Sequence, residues 1–107
     1  MTNLSPIILF VYNRPDHTKK CIASLLANEL SAQRELFIYA DAPKNEDSEE
    51  AVMKVREYIH TVDGFKSVTI VERDRNWGLA NSIIDGVTAL TRKYGRVIVL
   101  EDDLVVA

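Results

Sequence analysis

Short runs of apolar, β-favouring residues alternate along this chain with longer segments whose apolar side chains recur every three or four positions. The short runs are residues 6–12 (PIILFVY), 35–40 (ELFIYA), 66–72 (KSVTIVE) and 96–100 (RVIVL). A continuous apolar run, without polar alternation, is what a strand covered on both faces requires. Between the runs, Cys21, Ile22, Leu25 and Leu26 form one helical stripe, and Val52, Val55, Tyr58 and Ile59 a second. Leu79, Ile83, Val87, Leu90 and Tyr94 form a third. Pro15 and Asp16 suit the first turn of the first helix, which ends near residues 28–30. Asp47 or Ser48 is placed to cap the second helix, which ends around Asp63 and Gly64. The third spans residues 77–94, with Asn76 reading first as a simple N-cap and Gly95 as the stop. The order β-α-β-α-β-α-β predicts an α/β fold: a Rossmann-like three-layer α/β/α arrangement around a mainly parallel sheet with right-handed crossovers.

Ligands of such sheets bind at the carboxyl ends of the strands. Three loops, residues 13–16, 41–44 and 101–103, are predicted to gather there. The last strand ends in Glu101, Asp102 and Asp103, which is also what a plain charged turn looks like. Adjacent carboxylates repel one another and resist ionisation unless a cation or hydrogen-bond donors compensate. A hard divalent ion, Mg²⁺ or Mn²⁺, suits oxygen ligands and is completed by phosphate oxygens. Asp103 could hold that ion, which would chelate a diphosphate. Asp102 points elsewhere and could accept from a ribose hydroxyl, with Glu101 orienting its neighbours. Asp41 could pair with the N–H of a pyrimidine base, Arg14 could lie near the base carbonyl, and Tyr12 could stack on the ring. Each has a plainer reading, as a turn residue, a surface ion pair and a core aromatic. Gly78 reads as permitting close helix–sheet approach, Trp77 as packing, and His17 and His60 as structural or surface residues. Neither G-x-G-x-x-G nor G-x-x-x-x-G-K-[ST] is present, which leaves phosphate charge to be met by a metal.

The 107 residues make one domain, able to bury about two thirds of its unfolded surface. A net charge of −3 supplies no electrostatic reason to expect nucleic acid or an anionic membrane as partner. The single cysteine, Cys21, cannot form an internal disulfide and reads as a small buried hydrophobe. The early apolar run over residues 7–12 is too short for a signal-peptide core or a membrane span. A cytoplasmic chain is expected, at most peripheral to the membrane in the full-length protein.

Four segments, ILFVYNRPDHTKKCIASLLAN, LFIYADAP, RNWGLANSIIDG and VIVLEDDLVVA, together resemble the nucleotide-sugar-binding half of an A-type glycosyltransferase. The first three resemble the large family 2 of inverting transferases. The last is similar to N-acetylglucosaminyltransferase I, whose acidic metal motif is likewise Glu-Asp-Asp after an apolar strand. The resemblance implies that Tyr12, Arg14 and Asp41 surround the nucleobase and that Asp102 contacts the ribose. It makes Asp103 the one direct ligand of Mn²⁺ (or Mg²⁺). Asn76 and Gly78 match the family's Asn-x-Gly, near the donor sugar and diphosphate. The implied partners are a nucleotide diphosphate sugar, usually a uridine one, and a saccharide or lipid-linked acceptor. Residues 1–107 are then the nucleotide-sugar-binding portion of a glycosyltransferase domain. The general base is expected beyond Ala107, so no catalytic residue is nominated and the piece alone is expected to be inactive.

Three other functions fit the same residues less well. A sugar nucleotidyltransferase would share the fold, but its Gly-rich loop after the first strand is replaced by Asn13-Arg14-Pro15. A receiver-like signalling module needs an acidic pair after the first strand and an Asp directly after the third. Here those strands run into Tyr12-Asn13-Arg14 and Glu72-Arg73-Asp74. A haloacid-dehalogenase-like phosphatase needs Asp-x-Asp after its first strand, and the acidic triplet here lies at the other end of the chain.

Overall fold

The structure, a computed structural model, describes residues 4–102. Its elements run β1 (Ile7–Val11), α1 (Pro15–Leu26), β2 (Glu35–Ala40), α2 (Glu46–Ile59), β3 (Ser67–Glu72), α3 (Leu79–Tyr94) and β4 (Ile98–Glu101). A short 3-10 turn, Ser31–Gln33, precedes β2. Among the described residues the four strands form one sheet in the order β3-β2-β1-β4, and every pairing is parallel.

Alternate residues of β1 divide the core in two, because successive side chains of a strand point to opposite faces. Ile7, Leu9 and Val11, with Leu36, Ile38 and Ala40, pack against Cys21, Ile22 and Leu25 of α1 and Val55 and Ile59 of α2. Ile8, Phe10, Phe37 and Tyr39 pack against Leu90, flanked by Ile83, Val87 and Tyr94 of α3. All five residues of β1 are buried, which is why this run carries no polar position. From β1 the chain moves outward through β2 to β3, with α1 and α2 on one face. It then crosses the other face through α3 to reach β4 on the far side of β1. The strand order therefore reverses between β1 and β4, and the crevice at the carboxyl ends of those strands is the topological switch point where such folds hold ligands.

Several boundaries differ from the sequence expectation, each for a local reason. Asn45, not Asp47 or Ser48, caps α2: its side chain accepts from the Ser48 N–H at 3.2 Å, while Ser48 Oγ accepts from the Asn45 N–H at 3.4 Å. Extended backbone at Asn45 permits this reciprocal capping box, and Glu46, Asp47 and Glu49 fall inside the first turn, where they complement the helix dipole. The helix ends at Ile59, short of Asp63 and Gly64. Helix α1 ends at Leu26. Helix α3 starts at Leu79 with Gly78 as its N-cap, so Asn76 does not cap it. Strand β4 runs on to Glu101, which pairs with Phe10 as the last strand residue.

The glycine that permits close helix–sheet approach is Gly86, not Gly78. A Cβ at Gly86 would lie 2.6 Å from Ile8 Cδ1 and 3.2 Å from Phe10 Cζ, whereas one at Gly78 would meet nothing within 4 Å. Gly78 is needed instead for its backbone, at φ +79°.

Candidate functional site

A cavity of about 310 Å³ lies at the carboxyl ends of β1, β2 and β4. Tyr12, Asn13 and Arg14 border it from the loop after β1, and Asp41 and Lys44 from the loop after β2. Asn76, Gly78 and Ser82 come from the start of α3, and Glu101 and Asp102 from the end of β4. The six residues that sequence analysis expected around a donor nucleotide, Tyr12, Arg14, Asp41, Asn76, Gly78 and Asp102, thus all border one space. Asp103, the expected metal ligand, lies outside the described residues.

Asp41 organises this space. It is 8% exposed and continues the β1–β2 ladder, its N–H donating to the Val11 carbonyl at 3.1 Å. One carboxylate oxygen accepts from the N–H groups of Ala42 and Trp77, both at 2.9 Å. The other accepts from the Gly78 N–H at 3.0 Å and, more distantly, from the Asn76 amide at 3.4 Å. That amide makes its shorter bond to the Ala42 carbonyl, at 2.9 Å. Bonds from backbone N–H to an ionised carboxylate are among the stronger ones. Asp41 therefore pins the loop before α3 to the end of β2, a role that spacing in the sequence did not disclose.

Tyr12 is tied at its hydroxyl, which accepts from the Lys44 N–H at 2.9 Å and donates to Ser48 Oγ at 3.2 Å. These bonds join the loops after β1 and β2 and fix the ring at the cavity rim. Behind the loop, Trp77 packs as expected: the Arg73 guanidinium lies 3.9 Å from its ring centroid and 5.0 Å from that of Tyr39. Arg73 also donates to Asp85 at 2.9 Å. Burial, and secondarily the Asp85 charge, raise the Tyr39 phenol above its ordinary value, with Arg73 acting in the opposite direction.

The cavity carries Asp41, Glu101 and Asp102 on its walls and the cationic Arg14 and Lys44 at its rim. Among the described residues no group of three or more His, Cys, Asp or Glu side chains could hold a metal by itself. Mg²⁺ and Mn²⁺ take a few carboxylate oxygens completed by ligand phosphates; of the acidic triplet, Glu101 and Asp102 are among the described residues and both border the cavity. Cys21, whose Sγ lies 3.9 Å from the Glu101 carbonyl, is not a candidate soft ligand. Burial, then the charge of Asp102, raise its thiol and keep it protonated.

Lys44 and Ser82 were not anticipated. Lys44 follows Pro43 in a loop and carries no motif, and Ser82 reads as an ordinary polar position of a helix. A broader groove of about 680 Å³ runs along the outer side of α3, past Ile84, Thr88 and Arg92. It shares Asn76 with the cavity but lies away from the β1/β4 crevice.

No helix among the described residues is long and apolar enough to cross a membrane. Comparison with curated proteins and with solved structures gives no match. Comparison with protein-family models gives one, to Glycosyl transferase family 2 over residues 7–107. The match runs from the first residue of β1 through the acidic motif, across a parallel sheet of the kind A-type glycosyltransferases use, and the chain belongs to the family 2 glycosyltransferases.

Proposed function

We propose that this chain forms the donor-binding part of an inverting, metal-dependent transferase that uses a UDP-linked sugar. The supporting observation is that six residues from four separate segments, named from their chemistry and from the family resemblance, border a single cavity at the switch point of the sheet. In this reading Tyr12 stacks on the uracil, Arg14 lies near its carbonyl, and Asp41 accepts its N–H. The Asn76 amide at 3.4 Å is the weakest of the four bonds to Asp41 and is the one a base N–H displaces. Asp102 accepts from the ribose, and Asn76 and Gly78 face the diphosphate and sugar. Asp103, with the donor's phosphates, would hold Mn²⁺ or Mg²⁺. When bound, such an ion neutralises the charge that develops on the departing diphosphate. The chain's own part is to bind and orient the donor so that its anomeric carbon faces an acceptor hydroxyl of a saccharide or lipid-linked substrate. No described residue is assigned as general base.

Isothermal calorimetry tests this reading. UDP binds in the presence of Mn²⁺, and its affinity falls by about tenfold or more, 1.4 kcal/mol per decade, when the metal is chelated or in Asp103→Ala. Equal affinity with and without metal contradicts the metal-dependent mechanism.

A further inference from the structure

We infer that the first turn of α3, together with the hydroxyl of Ser82, is a subsite for phosphate oxygens of the nucleotide. The inference rests on the donor-binding reading above and adds to it a residue and a group of backbone donors.

Two independent features converge on this turn. The first is the helix start itself. Helix α3 runs for sixteen residues, and no side chain caps it. Its first intrahelical bond joins the Ser82 N–H to the Gly78 carbonyl at 3.0 Å, so the N–H groups of Leu79, Ala80 and Asn81 precede the helical ladder. The first turns of α1 and α2 hold acidic side chains that compensate their dipoles, Asp16 in one and Glu46, Asp47 and Glu49 in the other. The first turn of α3 holds none. The Gly78 N–H is held by Asp41, but positive φ and open space at Gly78 leave room beside Leu79, the first helical residue, where the turn borders the cavity. An uncapped helix start with free amides favours an anion.

The second feature is Ser82. It is 4% exposed and lines the cavity, yet its hydroxyl is buried with no hydrogen-bond partner. A buried hydroxyl without a partner is costly and calls for one. A phosphate oxygen seated over the first turn supplies an acceptor to the hydroxyl and to the amide of Leu79, which borders the same cavity. The rim cations Arg14 and Lys44 border the same cavity and offset the carboxylates of Asp41, Glu101 and Asp102 on its walls.

Calorimetry on the whole chain with uridine, UMP and UDP, in Mn²⁺ buffer, tests the inference. Ser82→Ala removes only the hydroxyl, at a helical position where alanine is well tolerated. It is expected to weaken UDP binding about tenfold, equivalent to 1.4 kcal/mol, and to leave uridine affinity and thermal stability undiminished. Leu79→Pro removes one amide donor at the first helical position, where proline suits the backbone, and is expected to weaken UDP several-fold in the same selective way. Unchanged UDP affinity in Ser82→Ala, beside a wild-type chain that binds UDP, overturns the subsite and leaves the donor-binding reading standing. Equal losses for uridine and UDP overturn it as well, since they point to a disturbed base pocket. A wild-type chain that binds no UDP removes the proposed function and this inference together.

Discussion

Asp41 shows what a single strand-end carboxylate can do beyond meeting a ligand. Its two oxygens collect three backbone N–H groups, from Ala42, Trp77 and Gly78. Removing it leaves three donors without an acceptor, one of them buried and two partly buried. Asp41→Ala should therefore cost about 3 kcal/mol of stability, with Asp41→Asn, which keeps one acceptor oxygen, losing less. Urea unfolding checks this, and an unchanged midpoint in Asp41→Ala would show that the loop is held by something else. At this scale the sequence singled out residues that come to border one cavity, but not whom they touch. Asp41 was legible as a carboxylate directly after a strand, while Trp77 and Gly78 stand 36 and 37 positions away and meet it only through the fold. Ser82 was invisible for a related reason: a serine in a helix acquires meaning only when its hydroxyl turns out to be buried and without a partner.

Among the elements, α3 is the one that connects packing to the site, since its core face lies on β1 and its first turn borders the cavity. Gly86 sets how closely it lies. Alanine there gains helix propensity of about 1 kcal/mol, but its methyl would sit 2.6 Å from Ile8 Cδ1 and 3.2 Å from the Phe10 ring. Ile8 is fully buried and the Phe10 ring stands beside it, so moving Cδ1 aside disturbs a packed core and overpacking wins. Gly86→Ala should destabilise by about 1–3 kcal/mol, measured as a lower melting temperature. A higher one would mean that the helix sits further from the sheet than described. Element types were legible because covered strands and amphipathic helices follow distinct periods. Boundaries were less so. The stretch Asn45-Glu46-Asp47-Ser48 offers several capping side chains, and the choice of Asn45 was made by backbone geometry entering the helix. Glycine at the start of α3 was masked by Asn76, the better capper in general, which the fold employs in reaching back to Ala42.

For the molecule as a whole, the alternation of strands and helices pointed to the layered α/β fold, and family membership agrees with it. Strand order was not readable from the pattern. Four buried runs do not say which is central, and only the packing of α1 and α2 on one face and α3 on the other reveals the reversal at β1. That reversal is what brings loops from both ends of the sequence to one cavity, and the account depends on that cavity being where the nucleotide binds. The most direct test is amide shift mapping by ¹H–¹⁵N NMR as Mg²⁺ and UDP are added. The account predicts perturbations grouped at Asn13, Arg14, Ala42, Gly78, Leu79 and Asp102. Perturbations grouped instead along the outer side of α3, at Ile84, Thr88 and Arg92, or absent altogether, would contradict it.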